Sequence, residues 1–134
     1  MTLNATTTPA RRALVVDDVM LNRKLATAFF NRMGWQTAEA DGGQAALDWL
    51  ADHPPVDLLL LDISMPDLCG EEVCHLLRAD PAWASLKIVA YTAHAGQPDI
   101  ERFLASGFDA VLIKPISLQR MTEVVSGLCP TDGA

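Results

Sequence analysis

Five short aliphatic runs set the pattern of hydrophobic and polar positions along the chain. The strongest is Leu58–Leu61, four consecutive leucines that predict a strand buried on both faces, as in a parallel sheet covered by helices. Shorter apolar runs predict strands at Ala13–Val16, Leu86–Tyr91 and Val111–Ile113, and the more polar stretch Trp35–Ala40 is predicted to be an edge strand.

Helical periodicity occurs in the segments between and after these runs. The first helix is predicted from Met20 to Met33, ended by a left-handed Gly34, and its predicted buried face consists of Leu21, Leu25, Ala28 and Phe29. The second is predicted to open at an N-cap pair, Asp41 and Gln44. Two more are predicted at about Glu71–Ala79, with a buried face of Val73, Leu76 and Leu77, and at Asp99–Ser106. A last helix is predicted to be capped by Ser117 and to run to about Leu128.

Strand and helix alternate five times, which predicts a parallel sheet with right-handed crossovers and helices on both faces. The predicted fold class is a doubly wound α/β domain. We expect it to span residues 11–129, with short tails at 1–10 and 130–134.

Composition excludes several classes of function. A formal net charge of −7 and a pI near 4.7 argue against nucleic acid as a direct partner, which would need a basic surface. The sequence contains no apolar run near the roughly 20 residues that span a bilayer and no signal-peptide pattern, so we expect no membrane insertion. Three cysteines without metal-ligand spacing predict free thiols, typical of the cytoplasm.

Polar side chains follow four of the predicted strands, namely Asp17 and Asp18, Asp62, Thr92, and Lys114. Because the carboxyl ends of parallel strands meet at one edge of a sheet, we expect these side chains around one crevice. Three carboxylates repel each other there unless a cation compensates, and hard oxygen ligands favour Mg²⁺, or Mn²⁺ in its place. With a hydroxyl and an ammonium directed at the same phosphoryl group, Asp62 is predicted to be a nucleophile that forms an aspartyl phosphate.

Four motifs occur in order along the chain, namely Val16-Asp17-Asp18, Leu61-Asp62 with Met65-Pro66, Thr92-Ala93, and Lys114-Pro115. With them, the sequence from about Arg12 to Leu128 closely resembles the receiver domain of two-component response regulators, in the style of receivers from hybrid histidine kinases and phosphorelays. Each motif is weak alone, but four in order at these separations are specific. The resemblance implies a flavodoxin-like five-stranded sheet of order 2-1-3-4-5 with five helices.

For function, the resemblance implies that Asp62 accepts a phosphoryl group from a histidine kinase or a histidine phosphotransfer protein. The implied ligands of Mg²⁺ are Asp18 and Asp62, the backbone carbonyl of Ser64, and Asp17, often through water. Thr92 and Lys114 would contact the phosphoryl oxygens, and the bond before Pro115 would be cis. Such a domain is not an enzyme toward other molecules, because it catalyses only its own phosphorylation and slow autodephosphorylation.

The expected output is a phosphorylation-dependent contact with an effector protein, through the face formed by the fourth and fifth helices and the fifth strand. Two positions depart from the family. Val111 stands three positions before the lysine, where receivers usually carry Tyr or Phe, and Cys69 precedes Gly70 where Asp is usual. Ser64 and His94, two positions after Asp62 and Thr92, are candidates for tuning the lifetime of the phosphate.

Three other functions fit the sequence less well. A flavin or nucleotide carrier of the same topology would need a Gly-rich phosphate loop where Asp17 and Asp18 stand. An aspartyl-phosphate hydrolase normally has a second acid two residues after the nucleophile, where this chain has Ser64. A receiver that binds partners without being phosphorylated is disfavoured by the intact acids, although Val111 leaves it open.

Overall fold

The computed structural model describes residues 11–53 and 55–130. In chain order the elements are β1 (Arg12–Val16), α1 (Met20–Arg32), β2 (Gln36–Ala40), α2 (Gly43–Asp52), β3 (Leu58–Asp62), α3 (Gly70–Arg78), a 3₁₀ turn (Pro81–Trp83), β4 (Lys87–Thr92), α4 (Gln97–Ala105), β5 (Ala110–Ile113) and α5 (Leu118–Leu128). Residues 1–10 and 131–134, which include nearly all of both predicted tails, lie outside this description. Within it, no helix is long and apolar enough to cross a membrane.

The five strands form one parallel sheet of order β2-β1-β3-β4-β5, which confirms the doubly wound α/β class and the order that the resemblance implied. The leucine strand β3 lies at the centre, and all five of its residues are buried. It pairs Leu61 with Val16 of β1, and Asp62 with Tyr91 of β4. This register brings the carboxyl ends of the three middle strands to the same level.

Alternate residues of each strand enter two separate cores. Leu14, Leu59 and Ile88 point to the core shared with α2, α3 and α4. Val15 and Leu60, with their neighbours on β4 and β5, point to the core shared with α1 and α5. The helices therefore cover both faces of the sheet and leave its carboxyl edge to the loops.

The predicted buried face of α1 is wrong. Its buried residues are Ala26, Thr27 and Phe30, whereas Leu21 is 77% exposed and Leu25 is 38% exposed. The true face contains a threonine whose hydroxyl donates to the backbone carbonyl of Lys24, so a polar side chain is satisfied inside the helix contact. Hydrophobicity alone predicts burial of the neighbouring stripe of the helix, which carries Leu21 and Leu25.

Two smaller predictions about the helices also fail. In α3 the buried face includes Cys74, whereas Leu76 is 49% exposed. The N-cap of α2 is Gly42, which has no capping side chain, and Asp41 lies exposed outside the helix. Other local predictions are confirmed: Gly34 has φ +87°, Ser117 accepts a hydrogen bond from the Arg120 amide, and the Lys114–Pro115 bond is cis.

Candidate functional site

The polar residues predicted to meet at the carboxyl edge do meet there. Asp17 follows β1, Asp62 ends β3 and Thr92 ends β4, and all three are nearly or fully buried. Asp18 is exposed beside them, and one carboxylate oxygen from each of the three acids lies within 4.8 Å of the others. A cavity of about 320 Å³ opens over this edge of the sheet, and its lining consists of Asp18, Val19, Asp62, Ser64, Thr92, Ala93, His94 and Lys114.

Lys114 is the cationic partner of the buried acids. Its Nζ lies 2.9 Å from Asp17 Oδ2 and 3.3 Å from Asp62 Oδ1. The ammonium also lies 4.6 Å from the ring centroid of Tyr91, over a buried aromatic face. A single positive charge therefore faces two fully or nearly buried carboxylates, which leaves net negative charge in the site.

Asp17 is positioned by its neighbours on both sides of its backbone. Its amide donates to the Ala40 carbonyl at 3.2 Å, and its carbonyl accepts from Arg23 Nη1 at 2.9 Å. Arg23 is held in turn by Glu39. On the side chain, Oδ1 accepts from the Val19 amide at 2.9 Å. The buried Oδ2 has no hydrogen-bond partner within residues 11–53 and 55–130 and meets only the Lys114 charge.

Asp62 titrates unlike an ordinary carboxyl. Burial, and next to it the charge of Asp17, raise its pKa to about 6, against the opposing effects of Lys114 and the Ser64 amide. That amide donates to Asp62 Oδ1 at 3.3 Å. In the metal-free protein the carboxylate of Asp62 is thus destabilised, and a further positive charge would stabilise it.

The Thr92 hydroxyl is engaged within its own loop. It donates to the His94 carbonyl at 3.0 Å and accepts from the His94 amide at 3.3 Å. This arrangement fixes the first turn of the segment between β4 and α4 beside the cavity. A donor to a ligand in the cavity becomes available only when the bond to the His94 carbonyl opens.

The acid cluster fits a hard divalent cation. The ligand atoms are one carboxylate oxygen each from Asp17, Asp18 and Asp62, gathered within 4.8 Å of one another. The buried Asp17 Oδ2 is satisfied by no hydrogen bond within the described residues, and the positive charge beside it is the Lys114 ammonium at 2.9 Å. The net negative charge and the raised pKa of Asp62 both favour a cation. Oxygen ligands of this kind, with an open side for water, suit Mg²⁺ and, with little change, Mn²⁺.

Some residues around the site have roles that the sequence pattern does not indicate. Tyr91 belongs to a predicted strand, and its ring lies beside the Lys114 ammonium, while burial raises the pKa of its own hydroxyl to about 12. Arg23 lies six residues from the carbonyl it binds, so only the tertiary structure reveals the contact. Asp67 is bound to the start of α2 rather than to the acids, and no signal in the local sequence indicates this contact.

Comparisons with known proteins agree on one family. The model of the response regulator receiver domain matches residues 13–126. The polar-differentiation response regulator DivK of Brucella ovis is 35% identical over 115 residues, which cover 86% of this chain and 93% of that protein.

Solved structures show the same fold at lower identity. The Vibrio cholerae chemotaxis protein CheY4 superposes with a TM-score of 0.83 at 20% identity, covering 90% of this chain and 99% of that one. A chain of the CheX–CheY–BeF₃–Mg²⁺ complex from Borrelia burgdorferi gives a TM-score of 0.83 at 21% identity, covering 90% of each chain.

Proposed function

This chain belongs to the response regulator receiver family of two-component signalling, and from that premise we propose that Asp62 is its phosphoacceptor. The observation that carries the proposal is the surroundings of this one carboxylate. It is 3% exposed, it lies 3.3 Å from the Lys114 ammonium, and it shares a 4.8 Å cluster with Asp17 and Asp18. The phosphodonor is a phosphohistidine on a histidine kinase or a histidine phosphotransfer protein.

The transfer itself is a substitution at phosphorus. An Asp62 oxygen attacks the phosphorus, the P–N bond to the donor imidazole breaks, and its electron pair returns to the nitrogen, which takes up a proton. The Lys114 ammonium lies 3.3 Å from Asp62 Oδ1 and lines the same cavity, so it balances the negative charge on the phosphoryl oxygens. Thr92 donates to one of these oxygens after its hydroxyl leaves the His94 carbonyl.

A Mg²⁺ ion would be held by Asp18 and Asp62, by the backbone carbonyl of Ser64, and by Asp17, often through water. When bound, it supplies positive charge that offsets the repulsion between the carboxylate and the incoming phosphoryl group. A solved complex that shares this fold, from Borrelia burgdorferi, contains BeF₃ and Mg²⁺. Hydrolysis of the phosphate is expected to be slow and restricted to this protein's own phosphate, because Ser64 stands where a hydrolase has its second acid.

The donor protein is proposed to bind over the start of α1. Val19, Met20, Leu21 and Leu25 are large apolar residues with exposed fractions of 47%, 63%, 77% and 38%. Val19 also lines the cavity, so this apolar surface reaches the mouth of the site. A phosphohistidine carried on a protein must come within bonding distance of Asp62, and a hydrophobic surface beside the opening favours that encounter.

The output is proposed to start at the segment between β4 and α4. Release of Thr92 from the His94 carbonyl frees this segment next to the face formed by α4, β5 and α5, where we place the effector. Val111 on β5 is only partly buried and has no aromatic ring to move inward, so the segment between β4 and α4 must itself carry the change.

A cytoplasmic location is part of the proposal, because kinases that make the donor use ATP and the three cysteines are free thiols.

The proposal is tested by treating the protein with acetyl phosphate and Mg²⁺ and measuring its intact mass. Wild type should gain one phosphate adduct, Asp62→Asn should gain none, and chelation of the metal should abolish the adduct. Asp41→Asn removes an exposed carboxylate at the same edge of the sheet and should behave as wild type. An adduct on Asp62→Asn would contradict the assignment, and the absence of one in wild type would favour a receiver that binds partners without phosphorylation.

A further inference from the structure

The N-terminus of α2 is capped by a residue from another part of the chain. Its N-cap, Gly42, has no side chain, and the Asp67 carboxylate takes over. Asp67 Oδ1 accepts from the Gly43 amide at 3.2 Å, and Oδ2 accepts from the Gln44 amide at 3.0 Å. These bonds hold the pKa of Asp67 below its usual range, so the ionised carboxylate is the capping species.

Two glycines allow this approach. A Cβ on Gly43 would lie 2.6 Å from the backbone oxygen of Leu68, and a Cβ on Gly42 would lie 3.1 Å from the Asp67 carboxylate oxygens. Neither glycine has a positive φ, so conformational freedom is not the reason for them. Close contact between the start of α2 and residues 67–68 is what requires them.

The capping residue lies in the loop that directly follows the proposed phosphorylation site. Residues 63–69 follow Asp62 directly and include Ser64. The ends of the loop are fixed on the backbone: the Ile63 amide donates to Tyr91 and the Gly70 amide donates to Ile63. A Cβ on Gly70 would meet the Asp62 carbonyl oxygen at 2.5 Å, so the loop closes tightly against the end of β3.

We propose that Asp67 is a positioning residue for the divalent-ion site. By binding the start of α2, it holds the exposed turn of the loop and with it Ser64, three residues earlier. Ser64 acts on the site through its amide, which donates to Asp62 Oδ1, and through the carbonyl assigned to the ion. Because the loop is already ordered before the ion binds, the free energy of ion binding does not include the entropy cost of ordering the loop. The inference rests on the proposed function, because it assumes that a divalent ion binds there.

Removal of Asp67 also removes one negative charge, so the experiment must separate position from charge. Mn²⁺ serves as the probe, and its free concentration is followed by electron paramagnetic resonance during titration. Asp67→Ala should weaken Mn²⁺ binding by about tenfold, the usual loss when an outer-shell partner is removed. Asp67→Asn removes the same charge but keeps one acceptor oxygen, and it should retain most of the affinity.

Asp80→Ala is the matched control. Asp80 is also an exposed capping aspartate, accepting from the Ala82 amide at 3.0 Å, but it lies beyond the C-terminal end of α3, away from the acids. Its removal costs a cap and a charge and should change Mn²⁺ affinity by less than about twofold. Gly43→Ala should reproduce the Asp67→Ala loss without changing any charge, since its Cβ displaces Leu68. If that variant does not fold, the Asp67 pair decides alone.

Three outcomes would overturn the inference. Equal Mn²⁺ affinity in Asp67→Ala and Asp80→Ala would show that the cap has no role at the site. Equal losses in Asp67→Ala and Asp67→Asn would show that only charge matters. A wild type that binds no Mn²⁺ would overturn the proposed function as well, whereas the first two results would leave the proposed function standing.

Discussion

At the scale of single residues, the charge balance among Lys114, Asp17 and Asp62 controls the chemistry of the site. In the metal-free protein, Lys114→Met should raise the pKa of Asp62 above its value of about 6, because the carboxylate loses its nearest cation. Asp17→Asn should lower that pKa, because the neighbouring negative charge disappears. Carboxyl-carbon chemical shifts from NMR, followed against pH, measure both changes.

The control for this pair is Arg120→Met. Arg120 is 60% exposed on α5 and pairs only with Glu123 within the described part of the chain. Its removal lowers the net charge by one, as Lys114→Met does, but should leave the Asp62 titration in place. Movement of the pKa in the same direction for Lys114→Met and Asp17→Asn would contradict the assigned causes.

The hydroxyl of Thr92 has a separable role. Thr92→Ala should slow phosphorylation by acetyl phosphate by about tenfold, since one donor to the phosphoryl oxygens is lost. Thr92→Ser keeps the hydroxyl that now binds the His94 carbonyl and should stay near the wild-type rate. Initial rates of adduct formation in Mg²⁺ provide the measurement, and equal rates for the alanine and serine variants would remove Thr92 from the reaction.

At the scale of the elements, strands were predictable and helix faces were less so. A strand buried on both faces is indicated by an unbroken apolar run, and Leu58–Leu61 is such a run. A helix must choose one stripe among several, and α1 buries Thr27 while it exposes Leu21. The local sequence does not reveal which stripe of a helix is buried, because an apolar stripe is equally compatible with the protein core and with a surface that binds another protein.

The exposed face of α1 yields a prediction of its own. Leu21→Glu should slow phosphotransfer from a phosphohistidine protein that phosphorylates the wild type by at least about tenfold, because a charge would replace apolar contact area at the proposed interface. Transfer from acetyl phosphate, which needs no docking surface, should not change. Leu104→Glu alters a leucine on α4 that is 46% exposed and should affect neither reaction. Equal slowing with both donors would place the effect at the site rather than in docking.

At the scale of the whole molecule, the position of the site was predictable because it depends on topology. Any parallel sheet with strand ends at Asp17, Asp62 and Lys114 brings these side chains to one edge. The supports of the site were not predictable in this way. Asp67 reaches α2 across more than 20 residues of sequence, and Arg23 binds a carbonyl before its own helix, contacts that no local pattern encodes.

Gathering acids at one edge makes the stability of the whole fold depend on pH and on metal. The pKa of Asp62 rises on folding from an ordinary 3.8 to about 6, so only at a pH well below 3.8 is the group neutral in both the folded and the unfolded state. As pH rises from 4 to 6, the unfolded chain releases this proton first and the folded state loses about 2 to 3 kcal/mol. Asp62→Asn should therefore be more stable than wild type by that amount at pH 7 and by little at pH 4.

Urea unfolding at fixed pH values measures this difference in the metal-free proteins. The stability difference between wild type and Asp67→Asn should show the opposite pH dependence, because folding lowers the pKa of the Asp67 carboxyl. The stabilisation by Asp67 is present above pH 3.8 and is lost as the pH falls through the pKa of the folded state. Saturating Mg²⁺ should stabilise wild type at pH 7 more than Asp62→Asn, since the ion binds the folded state through a carboxylate that the variant lacks. A stability difference between wild type and Asp62→Asn that stays constant from pH 4 to pH 7 would mean that folding does not raise the pKa of this carboxyl. That result would contradict the electrostatic argument for the ion site.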